Sequence, residues 1–252
     1  MSRACRAGPC ATGLAWLAGA AIGSYAAVVG LTWLRYGRAA PPEPDEVDDH
    51  LDRFIPVYEV AERHRIAVHA PAEVTFAALM DMDLEDSPLI RAIFKGRELL
   101  LGADASRSRA RGLVAVTKEL GWGVLADVPG HELVMGAVTQ PWKPNVIFRG
   151  LPPDQFSSFN DPGYVKIVWT LRADAACRDG STARTETRVV ATDPEARRLF
   201  RWYWARFFPG IVLIREISLR LVKKEAERRA RAQDGIGRST EIVVPPAGGA
   251  SI

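Results

Sequence analysis

Two long alternating segments lie back to back in the second half of the chain and leave it few ways to fold. From Tyr164 to Arg172, Val165, Ile167, Trp169 and Leu171 alternate with Tyr164, Lys166, Thr170 and Arg172. Successive side chains of a strand point to opposite faces, so this period of two predicts a strand with one buried face. From Thr182 to Thr192 the same period places Thr185, Thr187, Val189 and Ala191 on the inner face, and a turn near Arg178-Asp179-Gly180-Ser181 joins the two runs as a hairpin. Thr192-Asp193-Pro194-Glu195 then supplies a cap residue, a proline near the first turn and an early acid. A helix is predicted from there to about Ala232, with Ile214, Ile217, Ser218 and Leu221 on one face and Arg215, Arg220, Lys223 and Glu227 on the remainder. Pro209-Gly210 removes a helical hydrogen bond and predicts a kink.

Upstream, a first strand is expected from Arg63 to His69, with His64, Ile66 and Val68 sharing one face. Pro71 opens a short helix that runs to Met80, and a second helix is expected from Pro88 to Phe94. Leu113 to Thr117, Trp122 to Asp127, Glu132 to Thr139 and Asn145 to Phe148 are short β-like runs separated by Gly121, Pro129-Gly130 and Pro141, which predicts an antiparallel meander. Strand, short helices, many strands and one long helix is an α+β order in which the final helix covers the apolar face of the sheet.

No charged residue occurs from Ala11 to Leu34. Roughly 20 apolar residues cross a bilayer as a helix. Trp16 and Trp33 lie near the ends of the run, and Arg35 and Arg38 follow it. The expectation is one uncleaved transmembrane helix over residues 11–34, hence a single-pass cell-membrane protein with the bilayer as a partner. A cleaved signal is the alternative, with Arg3 and Arg6 as its charged start and Ser24-Tyr25-Ala26 as its cleavage site. Arg3 and Arg6 balance Arg35 and Arg38, so the side of the soluble domain stays open. The proline- and acid-rich stretch from Ala39 to Asp49 reads as an extended, solvated linker, and Asp234-Gly235 with Pro245-Pro246 as a loose tail. The divisions are therefore a tail and membrane helix over 1–38, a linker over 39–56, a folded domain over 57–232 and a disordered tail over 233–252.

Cys5, Cys10 and Cys177 are too few and too scattered for a disulfide framework. The histidines His50, His64, His69 and His131 show no metal-ligand spacing, so neither a metal nor a cofactor is expected. A formal net charge of +3 without a nucleic-acid module gives no reason to expect nucleic acid as a partner. No nucleophile elbow, phosphate loop or dinucleotide fingerprint occurs, so no catalytic residue is assigned and the oligomeric state is open.

The segment Ile66-Ala67-Val68-His69-Ala70-Pro71-Ala72-Glu73-Val74-Thr75-Phe76 is similar to the opening strand, alanine-proline step and helix of the START-like, or SRPBCC, superfamily, and the final strand leading into Asp193 and the long helix resembles that family's ending. The resemblance covers about residues 57–231 and implies a helix-grip fold, a curved antiparallel sheet around a long C-terminal helix. It further implies an apolar cavity for a lipid or other hydrophobic small molecule. Candidate lining residues are Trp122, Val124, Met135, Phe148, Ile167, Trp169, Thr187, Ile214 and Ile217, with His64 and Glu119 as polar candidates. The same side chains would equally serve as a filled core. A polyketide cyclase or dehydratase and a non-catalytic interaction domain are the alternative functions. Trp202, Tyr203, Trp204, Arg206 and Phe207 combine aromatic and basic character suited either to a membrane interface or to packing. Arg220, Lys223, Lys224, Arg228, Arg229 and Arg231 form a basic helix end that is either solvated or drawn to anionic lipid.

Overall fold

A computed structural model describes residues 9–84, 87–102, 111–177 and 180–241. Helix α1 (Pro9–Arg35) is followed by α2 (Asp49–Phe54), strand β1 (Val60–Val68), and helices α3 (Ala72–Met80), α4 (Pro88–Leu101) and α5 (Leu113–Glu119). Then come β2 (Gly123–Val128), β3 (Glu132–Thr139), β4 (Phe148–Arg149), α6 (Pro153–Ser158), β5 (Val165–Cys177), β6 (Gly180–Ala191) and α7 (Pro194–Glu241). The six strands form one antiparallel sheet in the order β1-β6-β5-β3-β2, with β4 beside β3. Chain neighbours β5 and β6 pair with Ile167 opposite Val189 and Trp169 opposite Thr187, the register that the alternation requires. The turn residues Arg178 and Asp179 lie outside the described residues.

One face of the sheet is closed by α3 and α7. Val68, Leu133, Met135, Trp169, Leu171, Ala173 and Ala183 pack there against Phe76, Leu79, Leu219, Val222 and Ala226. Nearer the start of α7, Val60, Val165 and Val189 meet Phe200 and Trp204. Asp193 caps α7 by accepting from the backbone N–H groups of Glu195 and Ala196 at 2.8 and 3.0 Å. The helix carries Pro209 within it and continues to Glu241, past its expected end near Ala232 and through Asp234-Gly235. Residues 242–252 of the expected tail lie outside the described residues.

The opposite face of the sheet is also covered, by the segment that reads as a linker. Asp48 caps α2 by accepting from Leu51 N–H at 3.0 Å, and Leu51, Phe54 and Ile55 are buried against Leu125, Val134, Val138, Val168 and Phe156. The acids of this segment answer cations on the outer face of the strands. Glu43 and Asp45 accept from Arg65 at 2.9 Å each, Asp45 from Arg184 at 2.7 Å, and Asp52 from the fully buried Arg188. The expectation of an extended, solvated linker is therefore corrected: its acidic composition reflects ion pairing with Arg65, Arg184 and Arg188, and its three apolar residues complete a core.

A second correction concerns residues 113–117, expected as a strand and found in α5. Gly112, with φ at +87°, opens the helix, and Val114 and Thr117, three residues apart, turn inward. A five-residue apolar run cannot by itself distinguish a strand from one buried helical face.

The uncharged run lies in α1, some of whose side chains fall outside the described residues. Among the described residues no helix is long and apolar enough to cross a membrane. Helix α1 docks on α7: Tyr25 Oη donates to the Arg206 carbonyl at 2.6 Å, and the Trp33 and Trp202 rings lie 4.1 Å apart. Trp16, Ile22, Leu31 and Leu34 of α1 are exposed.

Candidate functional site

Strand alternation brings a small polar group to the face that α7 covers. Glu62 stands opposite Thr187 and His64 opposite Thr185 in the β1–β6 ladder, while Trp169 of β5 stands opposite Thr187 from the other side. Arg215 reaches this group from α7. Its Nη1 donates to Thr185 Oγ1 at 3.2 Å, its Nη2 donates to Thr187 Oγ1 at 3.0 Å, and its guanidinium lies 5.7 Å from the Trp169 ring centre. Arg215 was expected on the outward side of the helix. The sheet-facing row instead follows Phe200, Trp204, Phe208, Ile211, Arg215, Leu219, Val222 and Ala226, at steps of three and four. Leu221, assigned to that face from the sequence, is exposed.

Burial lowers the Arg215 pKa to about 10, which leaves the guanidinium charged at neutral pH. Among the described residues no carboxylate pairs with it. Burial first, and the Arg215 charge second, push the His64 imidazole down against an opposing pull from Glu216, so His64 is neutral near pH 7. His64 Nε2 is buried without a hydrogen-bond partner and lies 3.8 Å from Glu62 Oε2. Glu62 itself is pushed up to about 7 by burial, with Arg63 opposing. A fixed cation, a neutral imidazole and a carboxyl titrating near neutrality thus share one half-buried patch beside a tryptophan. Such a patch can hold an anionic or carbonyl oxygen and can exchange protons with it.

The expected lining residues divide between wall and core. Trp122 meets Trp169 edge to face at 6.3 Å and stacks on Phe148 at 5.0 Å, so these three rings form one aromatic wall. Val124 packs beside it, Met135 is fully buried among core side chains, and Ile167 belongs to the cluster around Phe200. Ile214 and Ile217 are half-buried beside Arg215 on α7. Glu119 is misplaced by the sequence reading: it is exposed at the end of α5, because residues 113–119 are helical and turn it away from the sheet. Trp204 is corrected as well, from a membrane-interface candidate to a core residue packed with Phe200. Trp202 and Arg206 are exposed, and Tyr203 and Phe207 are half-buried with their rings 4.8 Å apart.

Two further constellations lie outside this patch. A groove of about 300 Å3 is lined by Trp33 and Tyr36 from the end of α1 and by Pro194, Arg197, Arg198 and Arg201 from the start of α7. Glu59 braces it, taking the Tyr36 hydroxyl at 2.9 Å and Arg197 at 3.3 Å. On the outer face of the sheet, Asp48, His50 and Glu132 bring one possible ligand atom each to within 4.8 Å of one another. Burial, then the adjacent Asp48 carboxylate, push Glu132 up to about 8. Asp48 and Glu132 are 84 positions apart in the chain, so spacing rules gave no sign of this cluster.

No protein-family model and no curated protein matches the chain. Solved structures similar to it include a conserved protein from Geobacillus kaustophilus (10% identity, TM-score 0.31, covering 69% of this chain and 96% of that one). Zhui aromatase/cyclase from Streptomyces sp. R1128 aligns at 15% identity and TM-score 0.25, covering 69% and 97%. A hypothetical protein from Helicobacter pylori aligns at 8% identity and TM-score 0.32, covering 76% and 96%. Likenesses this distant say nothing about what this chain binds.

Proposed function

We propose that the chain holds a hydrophobic small molecule between its sheet and α7, with Arg215 gripping an anionic or carbonyl oxygen of that molecule, and that residues 11–34 tether the domain to a cell membrane. The observation that carries the binding reading is the state of Arg215. A guanidinium has five N–H donors. Here it is partly buried against Trp169 and bonded to two threonine hydroxyls, with no carboxylate partner among the described residues. An enclosed charge without a counter-ion costs folding free energy, and perturbed charges of this kind concentrate at binding and catalytic sites. The aromatic wall of Trp122, Phe148 and Trp169 supplies the apolar contact that the rest of such a ligand needs. The tether is supported by the uncharged run itself and by the exposed Trp16, Ile22, Leu31 and Leu34 on α1, a set of side chains that water disfavours and a bilayer accommodates.

A second reading has one specific observation in its favour. Glu62, poised near 7, sits 3.8 Å from the neutral His64 beside the Arg215 cation, an arrangement suited to moving a proton at a carbonyl that Arg215 polarises. The two readings share the ligand and differ in whether it is changed.

Titration of the detergent-solubilised full chain with a fluorescent long-chain carboxylate tests the binding reading. Saturable uptake at one molecule per chain is expected, weakened at least ~10-fold in Arg215→Met through loss of a charge-assisted contact. Binding that is unchanged by this substitution contradicts it.

A further inference from the structure

We propose that Asp48, His50 and Glu132 form a binding site for a divalent first-row transition-metal ion on the sheet face turned away from α7. The three residues converge from two directions. Asp48 is the cap residue of α2 and His50 lies in its first turn, while Glu132 is the first residue of β3, where it stands opposite Arg172 of β5. One ligand atom from each lies within 4.8 Å of the others, and His50 Nδ1 is 2.9 Å from Glu132 Oε2. Ion–ligand bonds of ~2.0–2.2 Å to imidazole nitrogen and carboxylate oxygen fit inside such a triangle after small side-chain rotations.

The second observation is the state of Glu132. Its side chain is 3% exposed, and its Oε1 is buried without a hydrogen-bond partner among the described residues. A buried carboxylate oxygen is ordinarily bonded. The nearest cation does not meet this need: Arg172 is drawn to Asp174 at 2.6 Å and stays 3.9 Å from Asp48 Oδ2. Asp48 keeps one oxygen on the Leu51 N–H as the α2 cap and turns the other toward Arg172 at 3.9 Å, while its carboxylate lies against that of Glu132. Two enclosed carboxylates and an imidazole therefore lie close together, one Glu132 oxygen has no hydrogen-bond partner among the described residues, and a cation bound among them answers their charge.

The donor set chooses the class of ion. One imidazole nitrogen with two carboxylate oxygens suits zinc, manganese or ferrous iron and disfavours calcium and magnesium, which prefer all-oxygen shells. His50 is 41% exposed and gives the ion a way in, while Asp48 and Glu132 form the enclosed floor. A bound ion links α2 to β3 and so fastens the cover formed by residues 43–55 to the sheet. The inference is independent of what Arg215 binds.

Zinc binding to chelator-stripped full chain, measured by calorimetry and by metal content after dialysis, tests this. One equivalent is expected, with a rise in the thermal midpoint of ~5 °C at saturating ion. His50→Ala and Glu132→Gln should each lower the affinity at least ~10-fold, and calcium should not compete. His131→Ala, which alters the exposed histidine next along the chain from Glu132, should leave binding unchanged. Thermal unfolding in chelator establishes that each variant is folded. Absence of stoichiometric zinc in the folded wild type overturns the proposal, and so does stoichiometric zinc with the same affinity in both His50→Ala and Glu132→Gln.

Discussion

Arg215 of α7 donates to Thr187 of β6 at 3.0 Å, and among the described residues no carboxylate pairs with the Arg215 guanidinium. A charge held this way is a burden on stability unless a ligand uses it. Arg215→Met keeps the bulk and removes the charge, so it should raise the unfolding free energy by about 1–3 kcal/mol while abolishing ligand uptake. Urea denaturation beside the carboxylate titration checks both halves. A residue of purely structural value would lose stability together with binding.

Glu62 gives the site a pH signature. Its folded pKa of about 7 lies above its ordinary 4.5, so the stability it contributes is complete below about 4.5 and disappears as pH rises through about 7. Glu132, pushed up to about 8, acts in the same direction. Depressed His64 acts in the opposite sense below its ordinary 6.5, so the urea midpoint of the wild type should fall between about pH 6.5 and pH 8, and that of Glu62→Gln should fall by less because one of the two contributions is gone.

Arg201 ties α1 to the domain. Its Nε and Nη2 donate to the Trp33 carbonyl at 2.9 and 2.7 Å, and its guanidinium lies 4.1 Å from the Trp33 ring centre. The carbonyl belongs to the last turn of α1, where backbone acceptors lack helical partners and favour a cation. Arg201→Met should loosen this docking by about 1.4 kcal/mol, read as a ~10-fold faster tryptic cut at Arg35 or Arg38 in the native protein.

The cover formed by residues 43–55 sets where the folded domain must begin. A chain starting at Val57 lacks Leu51, Phe54 and Ile55 and the carboxylates Glu43, Asp45 and Asp52 that pair with Arg65, Arg184 and Arg188. It should not fold, whereas one starting at Glu43 should. Within the full chain, Leu51→Ala should cost about 2–5 kcal/mol by emptying a fully buried position. Circular dichroism and denaturant unfolding decide both points.

What the sequence disclosed follows from how local each signal is. The β5–β6 hairpin was legible because Ile167, Trp169 and Leu171 recur with a period of two on the face that meets α7, although the alternate residues Lys166, Val168 and Thr170 are buried as well, beneath the cover on the other face. The start of α7 was legible because Asp193 and Pro194 act on the backbone beside them. The cover formed by residues 43–55 was hidden: Glu43, Asp45 and Asp52 look solvated until Arg65, Arg184 and Arg188 are known to face them, and those arginines lie 20 to 139 residues away from their partners. Arg215 was placed outward because a charged helical residue defaults to solvent, and nothing local reveals that Thr185 and Thr187 wait opposite. The Asp48, His50 and Glu132 cluster depends wholly on the packing of α2 over β3.

Native mass spectrometry of the gently purified full chain in detergent, wild type beside Arg215→Met, bears most directly on what the grip between sheet and α7 is for. A stoichiometric apolar adduct carrying an acidic or carbonyl group is expected on the wild type and none on the variant. A wild type that is folded, carries no adduct and takes up no long-chain carboxylate would contradict it.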